Sequence, residues 1–433
     1  MDFFDKLIIP SSGANLELLK YLLSLALIIF SIYSGVLLAS LILSFIYKIT
    51  ASRKNNNNYF KLSKDYIGLI TPNKTMTLGL GVVPIFSIIL IYIQILNKVN
   101  NDIILFFIIS FCVFFLALVF IYLYKFTLIP VEVQNNENRT KRINTIAGIA
   151  GIVFLMASLR LFFGLINLSS DSDNWSFTGG FFDIVFTTQA VIKFIQFITI
   201  SFSISATAFI VKYFYWDKFE ENEAQDYSDY AKKINSWLAL GFAFIQPFIL
   251  AIDIYATPDK LMNSGSFLFG MLSLIALLIF MHLSYAGVRY NKYQSISYSF
   301  YLILLAFTFI ILKDQSALSL SSRQQILTLA DKYGQFEIAL LEKEGKKAPQ
   351  VNGEEIYKAK CTACHRFDQK LVGPPHKEIL IKYLNNKEGM VKFILNPVKV
   401  NPEYPEMPNQ ALKPKEAEAV VEFMFKEYGN KLK

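Results

Sequence analysis

Cysteine and histidine are scarce in this chain of 433 residues, with three of each. Three thiols cannot build a disulfide framework. Three imidazoles leave too few ligands for a diiron or copper centre within a helical bundle. Charge is also scarce over most of the length: charged residues are sparse through residues 17–312 and dense after 320. The formal net charge is +8, but the basic residues are scattered through short loops and form no run, so nucleic acid is not an expected partner.

Two of the three cysteines and one histidine stand together, in Cys361-Thr362-Ala363-Cys364-His365. This C-x-x-C-H run is the attachment sequence of a c-type haem. Two thiols one helical turn apart can reach two vinyl groups of one porphyrin and bond to them as thioethers. The next residue, His365, then lies under the iron as a ligand. A zinc site with His376 as a distant fourth ligand is one rival reading, and a histidine directly after the second cysteine points poorly for a tetrahedron. A redox dithiol is another, and it lacks a βαβ context here.

Gly353-Glu354-Glu355-Ile356-Tyr357 reads as a short helix feeding into the motif, and Gly373-Pro374-Pro375 follows it. Tyr404-Pro405-Glu406-Met407-Pro408 then holds a methionine between prolines. Pro414 to Tyr428 is an amphipathic helix with Ala417, Val420, Val421, Met424, Phe425 and Tyr428 on one face. On these residues the segment 350–433 resembles class I cytochrome c. The resemblance implies one covalent haem c, with Cys361 and Cys364 as thioether residues, His365 as proximal ligand and Met407 as distal ligand. It also implies a supporting role for the Pro374 carbonyl on the His365 ring. Met390 and Met424 lie in helical patterns and read as core residues; His376 is too near His365 in sequence to cross easily to the opposite face. A His/Met pair suits electron transfer and not oxygen binding.

The other three quarters of the chain is membrane-like: 54% hydrophobic residues overall, 18% charged, 40 Phe and a mean hydropathy of +0.40. Apolar runs of spanning length lie near 21–46, 77–96, 103–124, 146–168, 181–211, 236–256, 266–287 and 296–312, the last being short. The expected class is therefore all-α, with a transmembrane domain over 1–315, an amphipathic spacer and linker over 316–349, and the haem domain over 350–433. Eight spans put both ends on one side, and haem attachment makes that side the outer one. The four inner loops then carry sixteen Lys and Arg (Lys48 to Lys74, Lys125 to Arg142, Lys212 to Lys233, Arg289 and Lys292), and the outer loops carry two, Lys98 and Lys260. No cleavable leader is visible in residues 1–16, so the first span is expected to stay as an anchor.

Within the spans His282 is the sole histidine, so a bis-His b-type haem is not expected and His282 reads as a hydrogen-bonded packing residue. Cys112 reads as a small packing residue. Arg160, Lys193 and Asp253 are ionisable residues in apolar segments, accompanied by Gln189, Gln196 and Gln246. Such groups face a bundle interior or a wet cavity, either as structural ion pairs or as a polar pocket for a quinol or small anionic substrate. Pro84 and Pro247 interrupt spans two and six. Ile326, Leu329, Tyr333, Phe336 and Leu340 recur at helical spacing after Ser322 and read as a spacer helix, with Lys346-Lys347-Ala348-Pro349 as linker.

The expected protein is a multi-pass cytochrome of a bacterial inner membrane, embedded in lipid, with its haem domain in the periplasm. It would relay one electron at a time in a respiratory chain. Its partner would be an oxidase, a quinol-oxidising complex or another cytochrome. Eight spans followed by a cytochrome resemble membrane-bound urate oxidase in layout, which implies the alternative that the bundle oxidises a substrate itself. A docking subunit of a larger complex is the third expectation.

Overall fold

The computed structural model describes residues 11–96, 101–128, 138–176, 179–216, 225–344, 351–410 and 412–429. Lys98, Lys218 and the linker Lys346 to Pro349 lie outside them. No strand occurs among the described residues, and the described helices fall into two compact units.

The larger unit covers residues 21–321. Its spanning helices are α1 (Gly13–Lys54), α3 (Lys74–Ile95), α4 (Asn101–Phe126), α5 (Asn138–Ser169), α7 (Thr188–Ile210), α8 (Gln225–Ala256), α9 (Ser264–Arg289) and α10 (Tyr293–Ser321). Among the described residues eight helices are thus long and apolar enough to cross a membrane. Two shorter ones, α2 (Asn57–Ile70) and α6 (Phe181–Val185), lie between them.

Apolar burial gives little force for association in lipid, so small residues and interhelical hydrogen bonds hold such bundles. A β-carbon added at Gly35 would stand 2.5 Å from Ser201 Oγ, so α1 and α7 approach closely where glycine meets serine. Ser158 Oγ donates to the Ser110 carbonyl at 2.8 Å, Ser203 Oγ to Ala239 at 3.2 Å and Ser273 Oγ to Ala306 at 3.1 Å, each from one spanning helix to another. Pro84 does not break its helix: a π turn at Leu78–Val82 precedes it and absorbs the missing amide. Pro247 lies inside a continuous α8.

Three sequence expectations change here. The eighth span does not stop at 312 but runs on to Ser321. Cys112 is exposed on α4 and does not pack inside. His282 is likewise exposed on α9.

The second unit comprises residues 1–20 with 322–433. It contains α11 (Arg323–Lys343), α12 (Gly353–Lys360), α13 (His376–Tyr383), α14 (Lys387–Leu395) and α15 (Pro414–Tyr428). Asn352 caps α12 by accepting from Glu354 and Glu355 amides, with Glu354 and Glu355 in the first turn and Lys358 and Lys360 in the last, each charge matched to the helix dipole. Tyr357, Leu380, Met390, Ile394, Leu412, Ala417, Val420, Val421 and Met424 form one buried core. Met390 and Met424 thus sit in that core, as their helical spacing predicts.

The crossing of α12 with α15 depends on Gly353. A β-carbon there would stand 2.1 Å from the Ala419 carbonyl oxygen, a backbone atom that cannot swing away. Gly353→Ala is therefore expected to cost about 1–3 kcal/mol by overpacking. Thermal unfolding of the haem domain, followed by its own absorbance, checks this; a melting temperature equal to wild type counts against the close crossing.

Candidate haem site

The site grows out of the end of α12. Cys361 N–H donates to the Tyr357 carbonyl at 2.9 Å, and His365 N–H donates to the Cys361 carbonyl at 3.0 Å, so the C-x-x-C-H run continues as helix-like turns. Cys361 and Cys364 are both free thiols and both part-buried. The returning segment is laced onto this turn: Gly373 N–H donates to the Cys364 carbonyl at 2.8 Å, and His376 N–H to the Arg366 carbonyl at 2.9 Å.

That lacing fixes the His365 ring. Its Nδ1 lies 2.9 Å from the Pro374 carbonyl oxygen. A carbonyl can only accept, so Nδ1 carries the proton and Nε2 keeps its lone pair for a metal. Gly373 has no room for a side chain, since a β-carbon would stand 2.3 Å from the ring. His376 stacks on His365 with ring centroids 4.9 Å apart. Burial, and then the neighbouring His365, push His376 down to about 4, so it packs as a neutral ring. Burial, then the neighbouring Cys364, push the Cys361 thiol up to about 11. A redox dithiol works through a lowered thiol pKa, so this shift argues against that rival.

A cavity of about 230 Å³ opens between these residues and the loop after α14. Cys361, Cys364, His365 and Pro374 line it on one part of the chain; Met407, between Pro405 and Pro408, lines it from another. Every residue expected at the haem from sequence therefore borders one space. Met390, Met424 and His376 touch it as well.

A cytochrome c family profile matches residues 350–426. A cytochrome c-551 of Pseudomonas denitrificans is 40% identical over 78 residues, which is 93% of that protein and 17% of this chain. A cytochrome c-551 of Azotobacter vinelandii is 62% identical over 32 residues, 39% of that protein and 7% of this chain. No solved structure matches.

The chain belongs to the cytochrome c family. Membership rests on its C-terminal domain, which gives this part haem c binding and haem-based electron transfer, and implies a redox partner. The apolar helices ahead of the cytochrome domain are compatible with a multi-pass membrane protein. The donor set fits the group: two thiols a turn apart, a ring nitrogen with its lone pair free, and a thioether on the same cavity.

The polar residues of the bundle form a separate feature. Lys193 on α7 pairs with Asp314 on α10 at 2.7 Å. Lys313 reaches Asp314 at 3.2 Å and also pairs with Asp253 on α8. Lys193 and Asp253, expected from sequence, are thus joined through two residues that sequence reading missed. Arg160 is placed otherwise: its guanidinium donates to the Ala190 carbonyl at 2.6 Å and lies over the Phe194 ring. A cavity of about 50 Å³, room for one or two waters, lies between Lys193, Gln196, Asp314, Phe163, Phe197 and Phe307. Gln196 is buried, and its Nε2 has no partner among the described residues.

Proposed function

We propose that the chain is a membrane-anchored, monohaem c-type cytochrome that relays single electrons in a respiratory chain. Cys361 and Cys364 would hold the haem as thioethers, and His365 Nε2 and the Met407 sulfur would ligate its iron. The Pro374 carbonyl keeps the His365 proton on Nδ1 and makes Nε2 a better donor. When bound, the haem supplies a one-electron couple, and a His/Met pair raises its potential. The observation that carries this reading is the single cavity bordered by Cys361, Cys364, His365 and Met407. The haem count of one follows from the chain's single C-x-x-C-H run.

The fold is proposed to sit in a bacterial inner membrane with the cytochrome domain in the periplasm. The Lys and Arg excess in alternate loops supports that orientation. The partner is proposed to be an oxidase, a quinol-oxidising complex or another cytochrome.

Met407→Ala tests the ligand assignment. Losing the thioether is expected to lower the midpoint potential, abolish the sulfur-to-iron charge-transfer band of the ferric protein and let small ligands bind. A redox titration and a ferric spectrum unchanged from wild type would remove Met407 from the iron.

A second reading, in which the bundle oxidises a substrate and passes electrons to the haem, draws on the cavity beside Lys193, Gln196 and Asp314. The two lysines and two aspartates of that chain balance in charge, so it offers no net positive charge to an anion. Haem reduction by quinol in purified protein, without partners, would favour this reading. Co-purification with an oxidase would favour a docking subunit.

A further inference from the structure

We propose that Arg323, the first residue of α11, is a positioning residue for the distal haem ligand and clamps the loop that carries Met407. The proposal rests on Met407 being that ligand.

The loop that carries Met407 is long and rich in proline. Between the end of α14 at Leu395 and the start of α15 at Pro414 the described residues are non-helical. Four prolines in the loop, Pro397, Pro402, Pro405 and Pro408, have no N–H with which to tie the backbone down. The hydrogen bonds found inside it are short-range: Tyr404 N–H to the Asn401 carbonyl at 3.3 Å, Glu403 N–H to Asn401 Oδ1 at 3.0 Å, and the Gln410 amide to the Pro408 carbonyl at 3.1 Å. Bonds of this kind shape local turns; beyond them, the Lys370 ammonium lies over the Tyr404 ring, 4.4 Å from its centre.

Arg323 supplies a long-range tie. Its Nη1 donates to the Pro397 carbonyl at 3.2 Å, at the start of the loop and 74 residues away in sequence. The carboxylate of Glu406, next to Met407, acts on the same guanidinium. At the other end of the loop Glu337, also on α11, lies 3.8 Å from Lys413. That pair is half-exposed and weak, so of the two ties from α11 the stronger is Arg323. The Nε of Arg323 is buried and has no acceptor among the described residues.

A clamp also needs a fixed base. Ile326 and Leu329, on the buried face of α11, pack with Leu16, which belongs to the same unit. The helix read from sequence as a spacer therefore has a second task. It lies outside residues 350–426, the part that matches the cytochrome c family, so this hold comes from the chain's own arm.

Imidazole titration of the ferric, full-length protein in detergent tests the clamp. Imidazole reaches the iron only when Met407 has left, so its apparent affinity reports the fraction of open loops. Arg323→Gln is expected to tighten apparent imidazole binding about tenfold, as the loss of one charge-assisted hydrogen bond implies. Arg323→Lys keeps a charged donor with shorter reach and is expected to give an intermediate rise of about threefold. The lysine variant decides the matter if the glutamine variant fails to hold haem. Wild-type affinity in both, with haem incorporation intact, overturns the clamp. Met407→Ala is the companion arm, expected to bind imidazole more tightly than either. If Met407→Ala tightens binding and the Arg323 variants do not, the clamp fails alone. If Met407→Ala also leaves binding unchanged, the ligand assignment fails and the clamp falls with it.

Discussion

Replacing Cys361 and Cys364 together with alanine is expected to yield a chain that keeps no haem after denaturation and extraction with acidic acetone, while the wild-type chain stays coloured. The reason is covalent. His365 and Met407 can bind iron, but coordination bonds are lost when the fold is lost; thioethers are not. Each single variant retains one attachment point and is expected to hold haem in reduced yield. The two thiols have separate positions to work from, Cys361 at the end of α12 and Cys364 one turn on, with the Cys364 N–H donating to the Cys361 carbonyl at 3.2 Å. A haem stain on a denaturing gel reads the result directly. Colour surviving in the double variant would mean that haem is attached elsewhere, and metal analysis showing stoichiometric zinc in the wild type would revive the rival reading of the same cysteines.

The haem site was legible because its signals are local. C-x-x-C-H occupies five adjacent residues, and a methionine between prolines stands out in any window. The helix pattern of Pro414 to Tyr428 announces its buried face, and the structure buries Ala417, Val420, Val421 and Met424 there. The count of spanning helices was legible for the same reason, since length and hydropathy are properties of single segments. What escaped depends on pairing at a distance. Lys313 and Asp314 read as the polar end of a short span. In the fold they lie inside a helix that continues to Ser321, because Lys193 and Asp253 on two other helices neutralise them. The same holds for α11. Its apolar spacing shows a helix with a buried stripe, but nothing in residues 322–346 reveals that Arg323 meets a carbonyl 74 residues later. Cys112 and His282 were misread for a related reason: in an apolar segment, sequence alone does not say which face looks outward.

The largest expected effect in the bundle follows from those missed partners. Asp253 is fully buried and Lys313 is 3% exposed, so neither can turn to water if the other is removed. Breaking a buried pair by deleting one member costs about 3–5 kcal/mol, since the survivor stays charged in a low-dielectric setting. Lys313→Met is expected to be the worst case, because it strands Asp253 outright, while Asp253→Asn leaves Lys313 with Asp314 at 3.2 Å. Joining both changes removes both charges, and the double variant is expected to recover most of the loss suffered by Lys313→Met. Lys260 provides the contrast. It pairs with Asp171 at 2.9 Å and with Asp173 but is 45% exposed, and Lys260→Gln is expected to cost far less than Lys313→Met. Heating each variant in detergent and measuring the fraction that stays monodisperse ranks them. Equal survival of Lys313→Met and Lys260→Gln would mean that the Asp253 pair carries no more than a surface contact. A double variant no better than Lys313→Met would mean that the lysine matters for something other than its partner's charge. A stable double variant separates structure from chemistry, because its haem can then be challenged with quinol. Unchanged reduction would leave the charge chain as a strut between α8 and α10, and lost reduction in a well-folded bundle would place these residues in the path of a substrate.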